Sequence, residues 1–376
     1  MKIATLSYSA AQGFSASLPT IAMPQCLVLV FGHSDFSDDH TPFNALQTQY
    51  PQAIIMGCSS AGEILGKRIH DNTLVIAVIS FESSQLRFAH AVVHDVQESR
   101  YTGRLLADQL SGENLRGIFV LSDGLHVNGS ELAQGFNDVL QNIIVTGGLA
   151  GDGEKFSRTW VLQHGKPVER MVTALGLYGN ISIGHGSKGG WVPFGSAREV
   201  TRATNNVLYE LDGQPALALY KKYLGEMANG LPATGLRFPL ALSQPGEAKE
   251  LVRTILAIDE TAQSLTFAGD IPVGAYAQLM RANIDQLVEG AENAAIMSAT
   301  ETDQSVLCIA ISCVGRRMVM GANAEEETEA VLDILPDTTQ QIGFYSYGEI
   351  SPYAKGDCDL HNQTMTLTTW YEPDIT

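Results

Sequence analysis

The amino-acid sequence predicts a mixed α/β fold built as two halves, on three observations. Short runs rich in Val, Ile and Leu alternate with amphipathic helical segments over most of the 376 residues. Three times an apolar run passes through a small-residue turn into a Gly-acid pair. Between Pro167 and Leu211, Thr, Val, Arg, Asn and Gly displace the helix formers, which marks a β-rich central stretch of antiparallel strands.

In chain order, strands are expected at Cys26–Phe31, Ala53–Met56, Thr73–Phe81, Leu86–His94, Gly117–Leu121, Ile143–Val145 and Trp160–Gln163, each bounded by Gly, Asn, Asp or Ser. Helices are expected at Thr102–Leu110, Ser130–Asn142, Pro215–Leu224, Asn283–Ala299 and Ala324–Leu335. Ser130 followed by Glu131 begins a helix well, since a carboxylate there meets the positive end of the helix dipole. Pro215 suits a first helical turn, where its missing N–H would have no partner anyway. The Asp212-Gly213 turn closes the β-rich stretch and divides an N-terminal domain, residues 1–212, from a C-terminal domain, residues 213–376. No low-complexity linker separates them, so the two are expected to pack firmly together.

The Gly-acid turns are Ile54 to Glu63, Ile143 to Asp152 and Ile342 to Glu349. Repeated strand–helix–strand units place parallel strands side by side with helices over one face. The turns would then gather at the carboxyl ends of the strands. Gly32-His33, Asp123-Gly124-Leu125-His126 and Cys313-Val314-Gly315-Arg316-Arg317 would join them there. Ligands sit at such an edge. The plainer alternative is that glycine merely lets the chain turn sharply.

Composition excludes more than it names. A chain of 376 residues exceeds a usual ~150-residue domain and can bury a core without disulfide or metal staples. Hydrophobic residues make up 45% and charged residues 17%, a globular balance. Lys and Arg number 23 against 41 Asp and Glu, a net charge of −18 that repels phosphate backbones and anionic lipid. Nucleic acid and membrane surfaces are therefore not expected as partners. Met1 to Ser9 lacks the apolar core of a secretory signal, and no apolar run nears the ~20 residues of a membrane span. Five cysteines, odd in number and without a CxxC pair, read as reduced thiols in a cytoplasmic protein.

Several motifs tempt a chemical reading. Gly147 to Gly153 is glycine-rich but has neither GxGxxG nor GK[ST], and strand rather than helix is expected after it, so nucleotide binding is rejected. The serine turns at 58–62 and 344–348 lack the first glycine of GxSxG, and no enzyme activity is expected. His90 and His94 on a strand would share a face ~13 Å apart, at about 3.3 Å per residue, too far to chelate one ion. Cys313, ahead of Arg316 and Arg317, could be a reactive thiolate, against the commoner case of an inert buried cysteine. His185 stands in a Gly-rich turn, Gly184 to Trp191, near Lys188, Arg198 and Arg202. That basic cluster would suit two carboxylates of one ligand; otherwise it is a His in a mobile turn among solvated side chains. His361-Asn362-Gln363-Thr364 would either hold a ligand or finish a strand.

The first two Gly-acid turns, together with Ser122-Asp123-Gly124-Leu125, resemble the N-terminal half of the FIST sensory domain. Glu210 to Ala216, Phe238-Pro239-Leu240, Val252-Arg253, Ser312 to Arg316, Gly343 to Ile350 and His361 to Thr364 resemble its C-terminal half. The match runs from about residue 25 to 370. The resemblance implies a cytoplasmic signal-input module that binds small ligands such as amino acids. His185 in its glycine-rich setting resembles the nitric-oxide-sensing haemoprotein branch. That branch implies haem b on a protein His and control of a partner histidine kinase or cyclic-di-GMP enzyme. His185 would hold the iron with His361 in reserve, and Lys188, Arg198 or Arg202 would meet the propionates. The alternative is an amino acid or similar small polar ligand at the sheet edge. Glu63, Asp152 and Glu349 would take its ammonium and Arg253 or Arg316 its carboxylate, with Cys313, Tyr347 and Asn362 nearby. A ligand-free adaptor, or an electrophile sensor using Cys313, is the third possibility, and self-association is left open.

Overall fold

In the computed structural model, which describes residues 1–20, 25–244, 246, 250–353 and 356–374, one order of elements recurs three times. The first unit is β1 (Lys2–Ser9), β2 (Gln25–His33), α1 (Thr41–Gln49), β3 (Ile54–Ser60), a short hairpin of β4 (Glu63–Leu65) and β5 (Arg68–His70), then β6 (Leu74–Phe81). The second is β7 (Ser84–Val92), α2 (Ser99–Leu110), β8 (Leu115–Ser122), α3 (Gly129–Asn137), β9 (Ile144–Leu149), the hairpin β10 (Val161–Gln163) and β11 (Lys166–Val168), then β12 (Met171–Gly179). The third opens with β13 (Ser182–Lys188) and is then interrupted.

The interruption is a second sheet system: β14 (Arg198–Thr204), β15 (Val207–Leu211), α4 (Ala216–Leu224), β16 (Leu240–Ser243), β17 (Glu250–Arg253), β18 (Ile255–Asp259), β19 (Ser264–Phe267) and β20 (Tyr276–Arg281). The third unit then resumes with α5 (Ile284–Ser298), β21 (Val306–Cys313), α6 (Val314–Met320), α7 (Glu325–Ile334) and β22 (Thr339–Ser346). It closes with the hairpin β23 (Gly348–Pro352) and β24 (Cys358–His361), then β25 (Met365–Tyr371).

Each unit builds its sheet the same way. β2 and β3, β8 and β9, and β21 and β22 are parallel neighbours joined by helical crossovers. An antiparallel strand flanks each pair (β6, β12 and β25), and β1, β7 and β13 lie outside those. The small hairpins do not stay at home. β4 pairs with β22 of the third unit, β23 with β9 of the second, and β10 with β3 of the first. The exchange therefore closes a ring of three sheets.

The central strands are apolar throughout because both of their faces are covered. Leu27, Leu29 and Phe31 of β2 pack with Phe119 and Leu121 of β8, Ile309 and Ile311 of β21, and Phe344 of β22, in a core shared by all three sheets. Their neighbours Val28 and Val30 turn the other way, against Phe43 and Leu46 of α1. A Cβ on Gly57, Gly147 or Gly343 would lie 2.0, 1.8 or 1.8 Å from the carbonyl oxygen of Val30, Val120 or Ala310, the residue paired with it on the parallel strand. Close approach of backbone fixes these three glycines, which is why they recur at one place in the repeat.

The expected strands and helices all appear, with ends shifted by a few residues. Elements not anticipated include β1, α1, α6, β11, the insert strands β16–β20, β25 and the exchanged hairpins β4–β5 and β23–β24. α1 carries a weakly amphipathic sequence, TPFNALQTQ, and the hairpin strands are too short to show a period. His185 lies on the edge strand β13 and not in a turn. Its glycine neighbours serve packing: a Cβ on Gly184 or Gly186 would meet the Ser298 or Ala294 carbonyl of α5, at 2.4 and 2.1 Å. The Asp212-Gly213 turn, the expected boundary, lies within one sheet. It joins β15 to the two-residue strand Gln214–Pro215 inside the nine-stranded sheet, which is inserted whole between β13 and α5. The change of composition at Pro167 precedes β12 and β13, which belong to the second and third units, so it does not mark the start of the inserted sheet. Among the described residues no helix is long and apolar enough to cross a membrane.

Candidate functional site

The Gly-acid turns do gather where the parallel strands end. Ala61 donates its N–H to the Tyr345 carbonyl (2.9 Å) and Tyr345 donates back to Gly62 (2.8 Å). Gly151 donates to Ser59 (3.0 Å) and Tyr347 to Leu149 (3.1 Å), so all three turns are tied together.

Their acids, however, are spent inside the fold. Glu63 accepts from Ser60 Oγ (2.5 Å) on one oxygen and from Thr73 N–H and Oγ1 (3.1 and 2.9 Å) on the other. Glu349 repeats the pattern with Ser346 Oγ (2.6 Å) and Thr364 Oγ1 and N–H (2.8 and 3.3 Å). Burial pushes the two carboxyls up to about 7 and about 8. Asp152 accepts from Ser157 and Arg158 main-chain N–H groups, at 2.9 and 2.8 Å, and from the Tyr347 hydroxyl. Burial works to raise Asp152, but the hydrogen bonds from Tyr347, Arg158 and Ser157 outweigh it and hold the carboxyl below the usual range. The expected ammonium site on these three acids is thus replaced by internal caps that hold each turn.

Arg316 is likewise engaged. Its Nε and Nη2 bond Glu327 Oε2 at 3.0 and 2.8 Å, and its remaining donors meet the carbonyls of Gly189 and Leu287. Ser312 Oγ and the Tyr345 hydroxyl fill the other oxygen of Glu327. This closed network leaves no fork for a ligand carboxylate. Cys313 is buried at 2% exposure, and burial raises its thiol to about 12, the reverse of what thiolate reactivity requires. With intact folded protein, mild alkylation followed by mass spectrometry should label the half-buried Cys26 first and spare Cys313. Fast labelling at Cys313 would contradict its enclosure.

The residues expected to hold haem b do not fit it as a set. His185 does offer something: its Nδ1 is buried with no partner among the described residues, and burial lowers its pKa, favouring a neutral ring. Its intended companions are committed elsewhere. Arg198 bonds Asp212 at 2.8 Å and the Tyr223 hydroxyl at 2.9 Å, and Arg202 bonds Glu210 at 2.9 Å. Lys188 is exposed at the end of β13. His361 places Nε2 2.9 Å from the Ser351 carbonyl and stacks on Tyr353. Among the described residues no group of three His, Cys, Asp or Glu side chains is placed to hold a metal ion.

What the turn cluster does border is a cavity of about 560 Å³. Its floor is Gly124–Leu125 after β8, Leu149 at the end of β9, Cys313 at the end of β21 with Val314 after it, and Tyr347. Its roof belongs to the inserted sheet, with Thr254, Leu256, Phe267 and the segment Ala268–Asp270. The Tyr347 ring is fixed by stacking on Phe156, with centroids 4.4 Å apart, and by donating to Asp152 and the Gly153 carbonyl. Asn128 caps α3 through Oδ1 and donates from Nδ2 to Asp270 at 3.1 Å, bridging floor and roof. A side chamber of about 290 Å³ shares Asn205 and Asp270 with this cavity and is lined also by Ser130, Gln244 and Arg253.

Of the expected ligand residues, Cys313 and Tyr347 line the cavity and Arg253 the side chamber. Asn362 is fully buried beside Gly348, with neither side-chain atom partnered among the described residues. Sequence reasoning missed Asn128, Asn205, Thr254 and Asp270. One signal was available: Gly269-Asp270 is a further Gly-acid pair, overlooked because no apolar strand of the repeat precedes it.

The FIST N domain profile matches residues 26–214 and the FIST C domain profile residues 216–352. An uncharacterised protein of Methanocaldococcus jannaschii is 24% identical over 366 residues, covering 85% of this chain and 68% of that protein. An uncharacterised protein of Mycobacterium tuberculosis is 23% identical over 337 residues, covering 87% of this chain and 86% of its own length. The crystal structure of the cyanuric acid hydrolase from A. caulinodans aligns over 100% of this chain and 99% of that one, with 10% identity and a TM-score of 0.36, too slight a likeness to argue from.

Proposed function

Because this chain belongs to the FIST family, we propose that it is a signal-input protein whose junction cavity binds a small ligand and reports occupancy through the inserted sheet. The carrying observation is the 560 Å³ cavity, floored by strand-end turns and roofed by a segment of separate topology. A ligand that touches both sides binds one relative placement of core and insert more tightly than another, and so shifts their populations. No catalytic turnover is invoked. Its cytoplasmic partner would be a histidine kinase or cyclic-di-GMP enzyme, and the ligand an amino acid or similar small polar molecule.

The test is a thermal-shift screen of the full chain against fractionated small-molecule extract. A saturating ligand stabilises as the logarithm of its concentration over Kd. Ala268→Phe, which fills the roof, should abolish the shift while keeping the fold. Shifts unchanged by that variant would move the ligand elsewhere.

Haem-dependent nitric oxide sensing is the second reading, supported by the unpartnered Nδ1 of His185. On this reading protein titrated with haem gives a Soret band that His185→Ala alters. A spectrum identical in wild type and variant removes it.

A further inference from the structure

The side chamber holds a buried charge that touches no carboxylate among the described residues: Asp359 and Asp270 favour it electrostatically, but neither side chain bonds it. Arg253, at the end of β17, is 4% exposed yet forms no ion pair among the described residues. Its guanidinium donates only to main-chain carbonyls: Nη1 to Leu360 (2.9 Å) and Val252 (3.5 Å), Nε to Asp270 (3.4 Å). Nη2 has no partner among the described residues. A guanidinium so enclosed ordinarily finds a carboxylate, because an unpaired buried charge is costly. Burial lowers its pKa only to about 10, so the charge persists at neutral pH.

A second donor lies in the same chamber without an acceptor. Ser130 Oγ is buried and unpartnered among the described residues, in the first turn of α3, where the helix dipole favours an anion. Gln244 and Asn205 add amides to the lining. The Asp270 carboxylate also lines it, and is occupied on one side by Asn128 Nδ2. Asn205 and Asp270 are shared with the larger cavity, where apolar side chains such as Leu149, Leu256 and Phe267 alternate with the polar Gln97, Asn128 and Thr254.

We infer that the side chamber is a carboxylate site: Arg253 and Ser130 bind the carboxylate of a small ligand whose apolar body fills the junction cavity. This rests on the junction cavity being the ligand site, and it adds the chemical class. The carboxylate could come from a simple aryl or alkyl acid or from an amino acid, whose ammonium Asp270 would accept.

The experiment is calorimetric titration of the full chain with 3-phenylpropionate, its uncharged amide, and L-phenylalanine. The acid should bind at least ~10-fold more tightly than the amide, the scale of hydrogen bonds to a charged group. Arg253→Lys should weaken acid binding about 10- to 100-fold. Ser130→Ala removes a hydroxyl that bonds nothing in the fold, so it should melt like wild type and still weaken acid binding several-fold. L-phenylalanine in place of 3-phenylpropionate as the tighter ligand supports the same site with an amino acid as source. An amide that binds as well as the acid, affinity indifferent to both variants, or failure of both carboxylates to bind overturns the inference. The junction-cavity reading would survive any of these if Ala268→Phe still abolished shifts from extract.

Discussion

Replacing Arg316 with leucine should cost about 3–5 kcal/mol of stability, the largest single effect expected in this chain, because it leaves Glu327 buried and unpaired. Both side chains of the pair are 0% exposed, and Glu327 keeps only Ser312 and Tyr345 as donors once the guanidinium is gone. The loss reaches further than the pair. Arg316 also bonds the carbonyls of Gly189, where the chain leaves β13 for the inserted sheet, and Leu287, in the first turn of α5 after the chain returns. Urea unfolding measures the effect. The double change Arg316→Met with Glu327→Leu should recover much of the loss, since removing both charges removes the desolvation cost with them. A single variant within 1 kcal/mol of wild type would mean that the network is not closed as described.

The second large effect is on pH. Glu349 has a folded pKa of about 8 against an ordinary value of 4.5, so the native state holds a proton that the unfolded chain gives up. The stability this contributes is complete below pH 4.5 and is lost as pH rises through about 8. At about 1.4 kcal/mol per tenfold change in proton affinity, the full swing is on the order of 5 kcal/mol. Glu63 adds a smaller swing of the same sign between 4.5 and about 7. Unfolding free energy should therefore fall from mildly acidic to mildly basic pH. Glu349→Gln should flatten that slope, because an amide can turn its oxygen to Thr364 and its NH₂ to Ser346 Oγ. A slope identical in wild type and variant would place the titration elsewhere.

Much of the architecture was legible because it is periodic. Runs such as Cys26–Phe31 and Gly117–Leu121 are apolar at every position, and buried parallel strands leave that signature. The threefold recurrence was visible too, since Gly57, Gly147 and Gly343 each face a carbonyl on the neighbouring strand. Partnership was not legible. Glu63, Glu349 and Arg316 look like ligand residues in sequence, and only the fold shows that Thr73, Thr364 and Glu327 already satisfy them. The same blindness hid the cavity roof. Thr254 and Asp270 come from an insertion whose ends, near residues 189 and 283, carry no compositional mark. Arg253 proved to be buried with only main-chain carbonyls at hydrogen-bond distance among the described residues.

The ring of exchanged hairpins constrains how the molecule can come into being. A ribosome that has released residues 1 to 188 has made two units, yet the second still lacks β23, and β4 still lacks β22. Both edges stay open until about residue 350 has emerged, and open strand edges invite pairing with other chains. The core therefore sets as one piece after synthesis, with its earliest and latest segments locking each other, and severed halves of it should be sticky and unable to stand alone.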